Sequence, residues 1–253
     1  MSFAATYCVH NDDEWLGASL ESIYVATDRI FIFLNDRPWY GPLSDNSKTK
    51  ELIRSFPDPA GKIQVVRGDW ENEVSQRNYA LDMLAQAGFG YQFIIDADEV
   101  YDPGMLTGMM QYAKARPEVD CWHCWFVVYW KTLGYRIDPP ENHHPPIFLK
   151  VGSGRFVEYR NCKAGTHKLI PAEIGFCHHL SYARSDEQIQ RKLRSFSHAD
   201  QIPSDWYERV WKAWDFDHGI TDLCPYNPGV FQRAVPVDPI ALPQVLRTRI
   251  AEK

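Results

Sequence analysis

The feature that most constrains this chain is an alternation in its first hundred residues. Four runs rich in apolar, β-branched and aromatic residues recur: FAATYCVH (3–10), DRIFIFLND (28–36), KIQVVRGD (62–69) and YQFIIDAD (91–98). Between them lie NDDEWLGASLESIYVA (11–26), SDNSKTKELIRSFP (44–57) and VSQRNYALDMLAQAG (74–88), which carry helical spacing. In the first of these, Trp15, Leu16, Leu20 and Ile23 share one helical face, and Asn11, Asp12 or Asp13 can cap it. Pro57 and Gly88 are stop signals for the other two. Strand–helix alternation of this kind predicts a mostly parallel sheet with helices on both faces. Ligands of such sheets bind beyond the carboxyl ends of the strands, near a reversal of strand order. Here those ends carry NDDE, NDRPWYG, GDWENE and DADE, so the chemistry is expected along that acidic rim.

The second half reads differently. PEVDCWHCWFVVYWKTLGY (117–135) and IFLKVGSGRFVEYR (147–160) look like strands of a mixed or antiparallel extension, joined by the loop IDPPENHHPP (137–146). GFCHHLSYARSDEQIQRKLRSFSHAD (175–200) begins as a strand and becomes a helix capped near Ser185. DWYERVWKAWDFDHG (205–219) has the spacing of a Trp-rich amphipathic helix, and the tail reads as proline-punctuated coil. No internal repeat or low-complexity linker divides the chain, which predicts one domain with an elaborated C-terminal half.

Composition narrows the function classes. The chain has 253 residues, 45% hydrophobic and 24% charged, as in an ordinary globular protein. A net charge of −6 argues against a general nucleic-acid binder, which needs a basic face, but leaves local anion binding open. No run approaches the roughly 18 apolar residues of a membrane helix, and MSFAATYCVHNDDEWL lacks a basic leader region. The expectation is a cytoplasmic protein whose six cysteines are reduced thiols. Cys121 and Cys124 match C-x-x-C, yet their setting, DCWHCWFVVYW, is strand-like, and no second Cys/His pair follows at zinc-finger spacing. Sheet cysteines are expected there in preference to zinc or redox chemistry.

The stretch FIIDADEVYDPG (93–104) drives an apolar run into Asp96, Asp98 and Glu99. Neighbouring carboxylates repel, and burial raises the cost, so they need a solvated turn or a bound positive charge. Carboxylate oxygens suit Mg²⁺ and Mn²⁺, which bridge a few protein acids to substrate phosphates. Here the chain resembles the nucleotide-sugar glycosyltransferases of family 2, with their Rossmann-like GT-A fold. TYCVHNDDEWLGASLESI is similar to that family's first strand and helix, and IFIFLND stands in the place of its second strand. VSQRNYALDMLAQAGFGYQFIIDADEVYDPG is similar to its R-N-x-A-L helix and D-x-D strand, and HHLSYARSDEQIQRK is similar more weakly. The second-strand loop, NDRPWYG, departs from the usual D-D-x-S-x-D pattern.

The resemblance implies a metal-dependent transfer of a sugar from a nucleotide-diphosphate sugar to a glycan, lipid-linked or protein acceptor, with inversion. It implies a nucleotide-sugar-binding half over 1–110 and an acceptor-side extension over 111–253. Asp98 would ligate Mn²⁺ or Mg²⁺, and Asp96 would meet the ribose or a metal-bound water. Asp36 and Arg77 would lie near the nucleobase, with Asn11 and the strand end Val9–His10 beside them. His179, in H-x-S-Y, would be a further metal ligand, with His178 its neighbour.

An inverting transfer also needs a base for the acceptor hydroxyl, usually Asp or Glu. Glu158 is the first candidate because it lies between the D-x-D and the histidines; Asp138 and Glu141 are rivals. His143 and His144 read as acceptor-side or exposed. Trp122, Trp125 and Trp130 read as core, with one or two left as a sugar-stacking platform. Arg184, Arg191, Lys192 and Arg194 suit a solvated face, a diphosphate contact or an anionic membrane surface, and the solvated face is expected. Two other classes stay open. A nucleotidyltransferase usually has a Gly-rich basic loop after its first strand, where this chain has HNDDEW; a carbohydrate-binding module would lack turnover.

Overall fold

The computed structural model of the protein describes residues 2–41, 43–195, 201–217 and 219–251. The predicted alternation is realised as β1 (Phe3–Val9), α1 (Leu16–Tyr24), β2 (Arg29–Asn35), α2 (Ser47–Ser55), β3 (Ile63–Gly68), α3 (Glu73–Gln86) and β4 (Tyr91–Ile95). Every residue of β1 and β4 is buried, as expected for strands covered on both faces. Strand β1 pairs in parallel with β2 on one side and β4 on the other, and β3 extends the sheet beyond β2. Strand order therefore reverses between β1 and β4, and a crevice opens at their carboxyl ends.

Two apolar layers sandwich this sheet. On one face Tyr7, Ile32 and Phe93 pack with Leu16, Leu20 and Ile23 of α1 and with Leu106, Met109 and Met110 of α4 (Pro103–Lys114). On the other, Phe31 and Phe33 pack with Ala80 and Leu84 of α3. Helix α3 has the clearest start: Asn72 and Ser75 exchange hydrogen bonds as a capping box, and Gly88 takes a φ of 76° just past its end.

The C-terminal half continues the same sheet and builds a second one. After β5 (Glu99–Val100) come β6 (Cys121–His123), β7 (Phe126–Trp130), β8 (Thr132–Asp138), β9 (Pro146–Lys150), β10 (Gly154–Glu158), β11 (Asn161–Ala164), β12 (His167–Leu169) and β13 (Cys177–Tyr182). Strand β9 joins β4 antiparallel, followed outward by β6 and β12, which makes the first sheet seven-stranded. Strands β10 and β11 form a separate hairpin. A five-stranded sheet runs β14 (Arg233–Pro236), β8, β7, β13, β5. The result is the expected mixed, mostly parallel α/β architecture with an elaborated C-terminal half.

Three local expectations change. Helix α1 begins at Leu16, and no side chain caps it; Asn11, with a φ of 55°, and Asp12 turn toward the crevice instead. The Trp-rich segment forms a π-helical stretch at Tyr207–Lys212, not a long α-helix. Its Trp206 and Trp211 bury against Trp130 of the second sheet, so tertiary packing overrides the helical period. The tail is not all coil: β14 pairs with β8, and α6 (Gln244–Ala251) starts directly after Pro243, a good entry to a helix. The end of the segment predicted to be helical, 196–200, and His218 lie outside the described residues. Among the described residues no helix is long and apolar enough to cross a membrane.

Of the three aromatic candidates, Trp122 and Trp130 are core. Trp125 is half-buried, edge-on to His144 with ring centroids 4.2 Å apart. Trp130 is the hub of the second core, touching Tyr182, Trp206, Trp211 and Trp214. Trp130→Ala is expected to lower stability by about 3–5 kcal/mol in urea unfolding. A loss well under about 1 kcal/mol would mean that the cluster is not packed as described.

Candidate active site

The crevice between the ends of β1 and β4 is the cleft that the sheet topology predicts. It is lined by Val9, His10, Asn11 and Asp12 after β1, by Asn35, Arg37, Pro38 and Trp39 after β2, and by Gln76 and Arg77 of α3. Asp96 and Asp98 line it after β4, and Arg184, Arg191 and Lys192 close the far wall. The loops are tied down by local hydrogen bonds. The His10 imidazole donates from Nδ1 to the Asn35 carbonyl (2.9 Å) and accepts from the Ser44 hydroxyl at Nε2 (2.9 Å). Trp39 donates its indole N–H to Gln76 Oε1 (2.8 Å), and Gln76 donates to the Phe33 carbonyl (2.8 Å).

The three acids of DADE are each paired with cations, and Asp96 and Glu99 share Arg160. Asp96 accepts from Arg77 (2.8 Å) at Oδ1 and from Arg160 (3.1 Å) at Oδ2. Burial would raise its pKa, but these two guanidinium groups hold it below the ordinary carboxylate range. Asp98 accepts from Arg184 at Oδ2 (2.8 Å), where the Lys192 ammonium also lies 3.3 Å away. Against its burial, Lys192 and Arg184 keep it ionised far below that range. Glu99, fully buried, faces Arg160 with both carboxylate oxygens, one of them 3.2 Å from Nη2. Burial pushes the Glu99 carboxyl up, and Arg160 opposes that rise. We assign this bidentate pair as charged, since a guanidinium fork on a carboxylate is the arrangement that favours ionisation. The third acid, unexplained by sequence, is thus an internal anchor for Arg160.

The second sheet brings the histidine in. Strand β13 pairs antiparallel with β5 so that His179 stands opposite Glu99, and Leu180 N–H donates to the Asp98 carbonyl (2.8 Å). His179 Nε2 ends 3.7 Å from Asp98 Oδ1. Burial lowers the His179 pKa to about 4, so the ring is neutral near pH 7 and carries a lone pair. His178 points elsewhere, its Nδ1 2.7 Å from the Tyr129 hydroxyl.

Set against the sequence-based expectations, Val9, Asn11, Arg77, Asp96 and Asp98 line the cleft together. His179 stands behind them at Asp98. Asp36 is turned outward to Lys50 (2.9 Å), and Asn35 is the strand-end residue that faces the cleft. Glu158 is exposed at the end of β10 and is not among the lining residues. Glu141 is half-buried, its carboxyl pushed up to about 7 by burial. Arg184, Arg191 and Lys192 are a cleft wall, not the solvated face that helical spacing suggests. Sequence reasoning misses Arg160; the demand for cations by three adjacent acids is the available signal, but it does not say which arginine answers.

Arg160→Met should leave Glu99 and Asp96 with one fewer cation and cost about 3–5 kcal/mol in chemical unfolding. The double variant Arg160→Met/Glu99→Leu should recover part of that loss; if it adds further loss, the two residues do not act as a pair.

Comparison with known proteins identifies the family. No curated protein matches the chain. Solved structures that resemble it include S. aureus TarS 1-349 in complex with UDP, at 12% identity and a TM-score of 0.45, covering 83% of this chain and 75% of that one. A longer S. aureus TarS structure matches at 13% identity and a TM-score of 0.45, covering 87% of this chain and 47% of that one. Mannose-1-phosphate geranyltransferase from Thermus thermophilus matches at 12% identity and a TM-score of 0.36, covering 60% and 51%. The family model described as glycosyl transferase family 2 matches residues 8–186, which include the end of β1, the D-x-D strand and the His179 segment. The protein is therefore a glycosyltransferase with the GT-A type of sheet, and it belongs to glycosyl transferase family 2.

Proposed function

We propose that the protein moves a sugar from a nucleoside-diphosphate sugar to an acceptor hydroxyl, with inversion, and that a divalent cation assists. The observation that carries this reading is the meeting of Asp98, His179, Arg184 and Lys192 at the carboxyl end of β4. A departing diphosphate gains negative charge as the glycosidic bond breaks, and preorganised cations in a water-poor site stabilise that charge. Arg184 and Lys192 supply fixed positive charge, and Asp98 orients both. The nucleoside would lie between the β1 and β2 loops, against Asn11, Trp39 and Arg77. Arg77 supports this because its buried Nη1 has no hydrogen-bond partner among the described residues.

The residues present fit a metal. Two ligands each about 2.1 Å from an ion lie up to about 4.2 Å apart, and Asp98 Oδ1 and neutral His179 Nε2 are separated by 3.7 Å. Asp98 is an oxygen donor of the kind Mn²⁺ or Mg²⁺ accepts, His179 would add one nitrogen, and the remaining positions are left to phosphate and water. Such an ion, when bound, acts as a Lewis acid toward the diphosphate. Residues 1–110 would form the donor half and 111–253 the acceptor side. Glycan, lipid-linked and protein acceptors all offer the hydroxyl that this chemistry needs.

For the base, Glu158 is the sequence candidate, and one observation favours Glu141. Neither acid is among the residues that line the cleft, but Glu141 is half-buried where Glu158 is exposed. A carboxyl pushed up to about 7 is also tuned for proton transfer near neutrality.

Thermal shift with Mn²⁺ and a panel of nucleoside diphosphates tests the donor reading. Stabilisation by at least one diphosphate is expected, stronger with metal than without, and Asp98→Ala should abolish the metal-dependent part. Binding that is unchanged in Asp98→Ala would overturn the metal assignment, and a preference for triphosphates with pyrophosphate release would overturn the transfer. With the donor identified, Glu141→Gln should lower kcat by about 10²–10⁴ while nucleotide affinity persists. The same loss in Glu158→Gln, with Glu141→Gln active, would return the role to Glu158.

A further inference from the structure

A second cluster of ligand-type side chains stands away from the cleft, at the edge of the seven-stranded sheet. Cys121 and His123 are two apart on β6, so both project from the same face. Strand β12 lies parallel to β6 with His167 opposite Cys121. Cys121 Sγ is 3.7 Å from His123 Nε2, and His123 Nε2 is 2.9 Å from His167 Nδ1. From the β10–β11 hairpin, Cys162 Sγ approaches Cys121 Sγ to 3.1 Å. The four residues come from three separate strands, and one thiol, Cys121, is fully buried.

The hydrogen bonding around His123 points to a ligand. Its Nδ1 is 2.6 Å from the His144 carbonyl oxygen, which can only accept, so Nδ1 carries the proton. Nε2 is then a bare lone pair, aimed at Cys121 and His167. A backbone carbonyl that fixes the tautomer in this way is the usual support of a metal-bound imidazole. In a tetrahedral zinc site, bonds of about 2.3 Å to sulfur and about 2.05 Å to nitrogen separate S and N by ~3.6 Å, two N by ~3.3 Å and two S by ~3.8 Å. The Cys121–His123 separation already meets this, the His123–His167 separation opens by less than about 1 Å, and the ligand atoms of Cys121, His123 and His167 all lie within 4.8 Å of one another.

We propose that Cys121, His123 and His167 bind one zinc ion at a structural site, with Cys162, whose Sγ already touches Cys121, moving in as the fourth ligand. Thiolate with imidazole selects zinc over Mg²⁺ and Mn²⁺, which prefer oxygen, so this site is chemically distinct from Asp98–His179. The architecture gives the ion a task. Strand β12 has three residues, all exposed, and no apolar burial of its own to hold it. The hairpin pairs only within itself and delivers Arg160, two residues before Cys162, to Asp96 and Glu99. A zinc ion crosslinks β12 and the hairpin to β6, and so fixes the arm on which Arg160 stands. No zinc-finger spacing marks these ligands along the chain because they converge through sheet pairing, and Cys124, the other half of C-x-x-C, is buried in the main core.

The test is metal analysis of the purified full-length chain by mass spectrometry, after gel filtration in a buffer without added metal. About one zinc per chain is expected, with Co²⁺ exchange giving a thiolate-to-cobalt charge-transfer band. Cys121→Ser and His123→Ala should lose the zinc. His167→Gln changes an exposed residue, so it keeps the fold and should also lower zinc content severalfold. A strong chelator should lower the wild-type Tm and shift that of the zinc-depleted His167→Gln much less. Wild-type chain without zinc would overturn the proposal, as would an intact mass two hydrogens below the reduced value, which marks a Cys121–Cys162 disulfide. Zinc retained at full content in both Cys121→Ser and His167→Gln would overturn it as well.

Discussion

The Arg160 guanidinium, inserted between Asp96 and Glu99, is the interaction on which the rest of the cleft depends. Two carboxylates a few residues apart at the end of an all-buried strand would drive each other neutral or push the strand end into water. Arg160 donates from Nη1 to both Glu99 and Asp96, and from Nη2 to the Ile94 carbonyl as well. Asp96 is then free to orient Arg77, and the β4 turn holds Asp98 where Arg184 and Lys192 reach it. Each carboxylate in this stretch has a cation of its own. The cleft is therefore a set of compensated charges and not a patch of surplus negative potential, which suits an anionic ligand that must enter and leave.

Much of this is legible in the sequence, and the reasons are local. The strands β1, β2 and β4 announce themselves by continuous apolar runs, and the switch between β1 and β4 follows from parallel pairing. Asp98 is readable because it follows an apolar strand, and His179 because it stands in the H-x-S-Y pattern. The meeting itself depends on β5–β13 pairing across 80 residues of chain, which no local pattern encodes. Asp36 shows the limit in the other direction. The family pattern places an acid near the base, but Lys50 of α2 is close enough to draw this side chain outward. Helical spacing likewise assigns Arg191 and Lys192 to solvent, because periodicity ranks charged residues by type and cannot see an acid waiting on another element. The Trp-rich segment departs from its period for a related reason: Trp130 offers its indoles a tertiary site that outweighs the α-helical hydrogen-bond pattern.

The loop between β8 and β9 is built from different materials. There Trp125 and His144 meet edge to face near a half-buried Glu141, whereas the cleft is walled by ion pairs. Burial that lifts Glu141 toward neutrality and cations that depress Asp98 are opposite treatments of the same functional group. Within one protein they separate a carboxyl that can exchange a proton from one that stays charged at any physiological pH.

Strand β13 and helix α5 (Asp186–Ser195) supply His179, Arg184 and Lys192 from a single stretch of fourteen residues, and Arg160 comes from the hairpin just before them. The counter-charges of DADE, Arg77 apart, thus lie downstream of the Rossmann-like portion that carries the acids. That portion is not an interchangeable cartridge: transplanted alone onto another acceptor-binding partner, it would arrive with three carboxylates and only Arg77 to balance them. Divergence within such a chain is steered accordingly. The stretch from the hairpin to Lys192 has to be inherited together with the strand it neutralises.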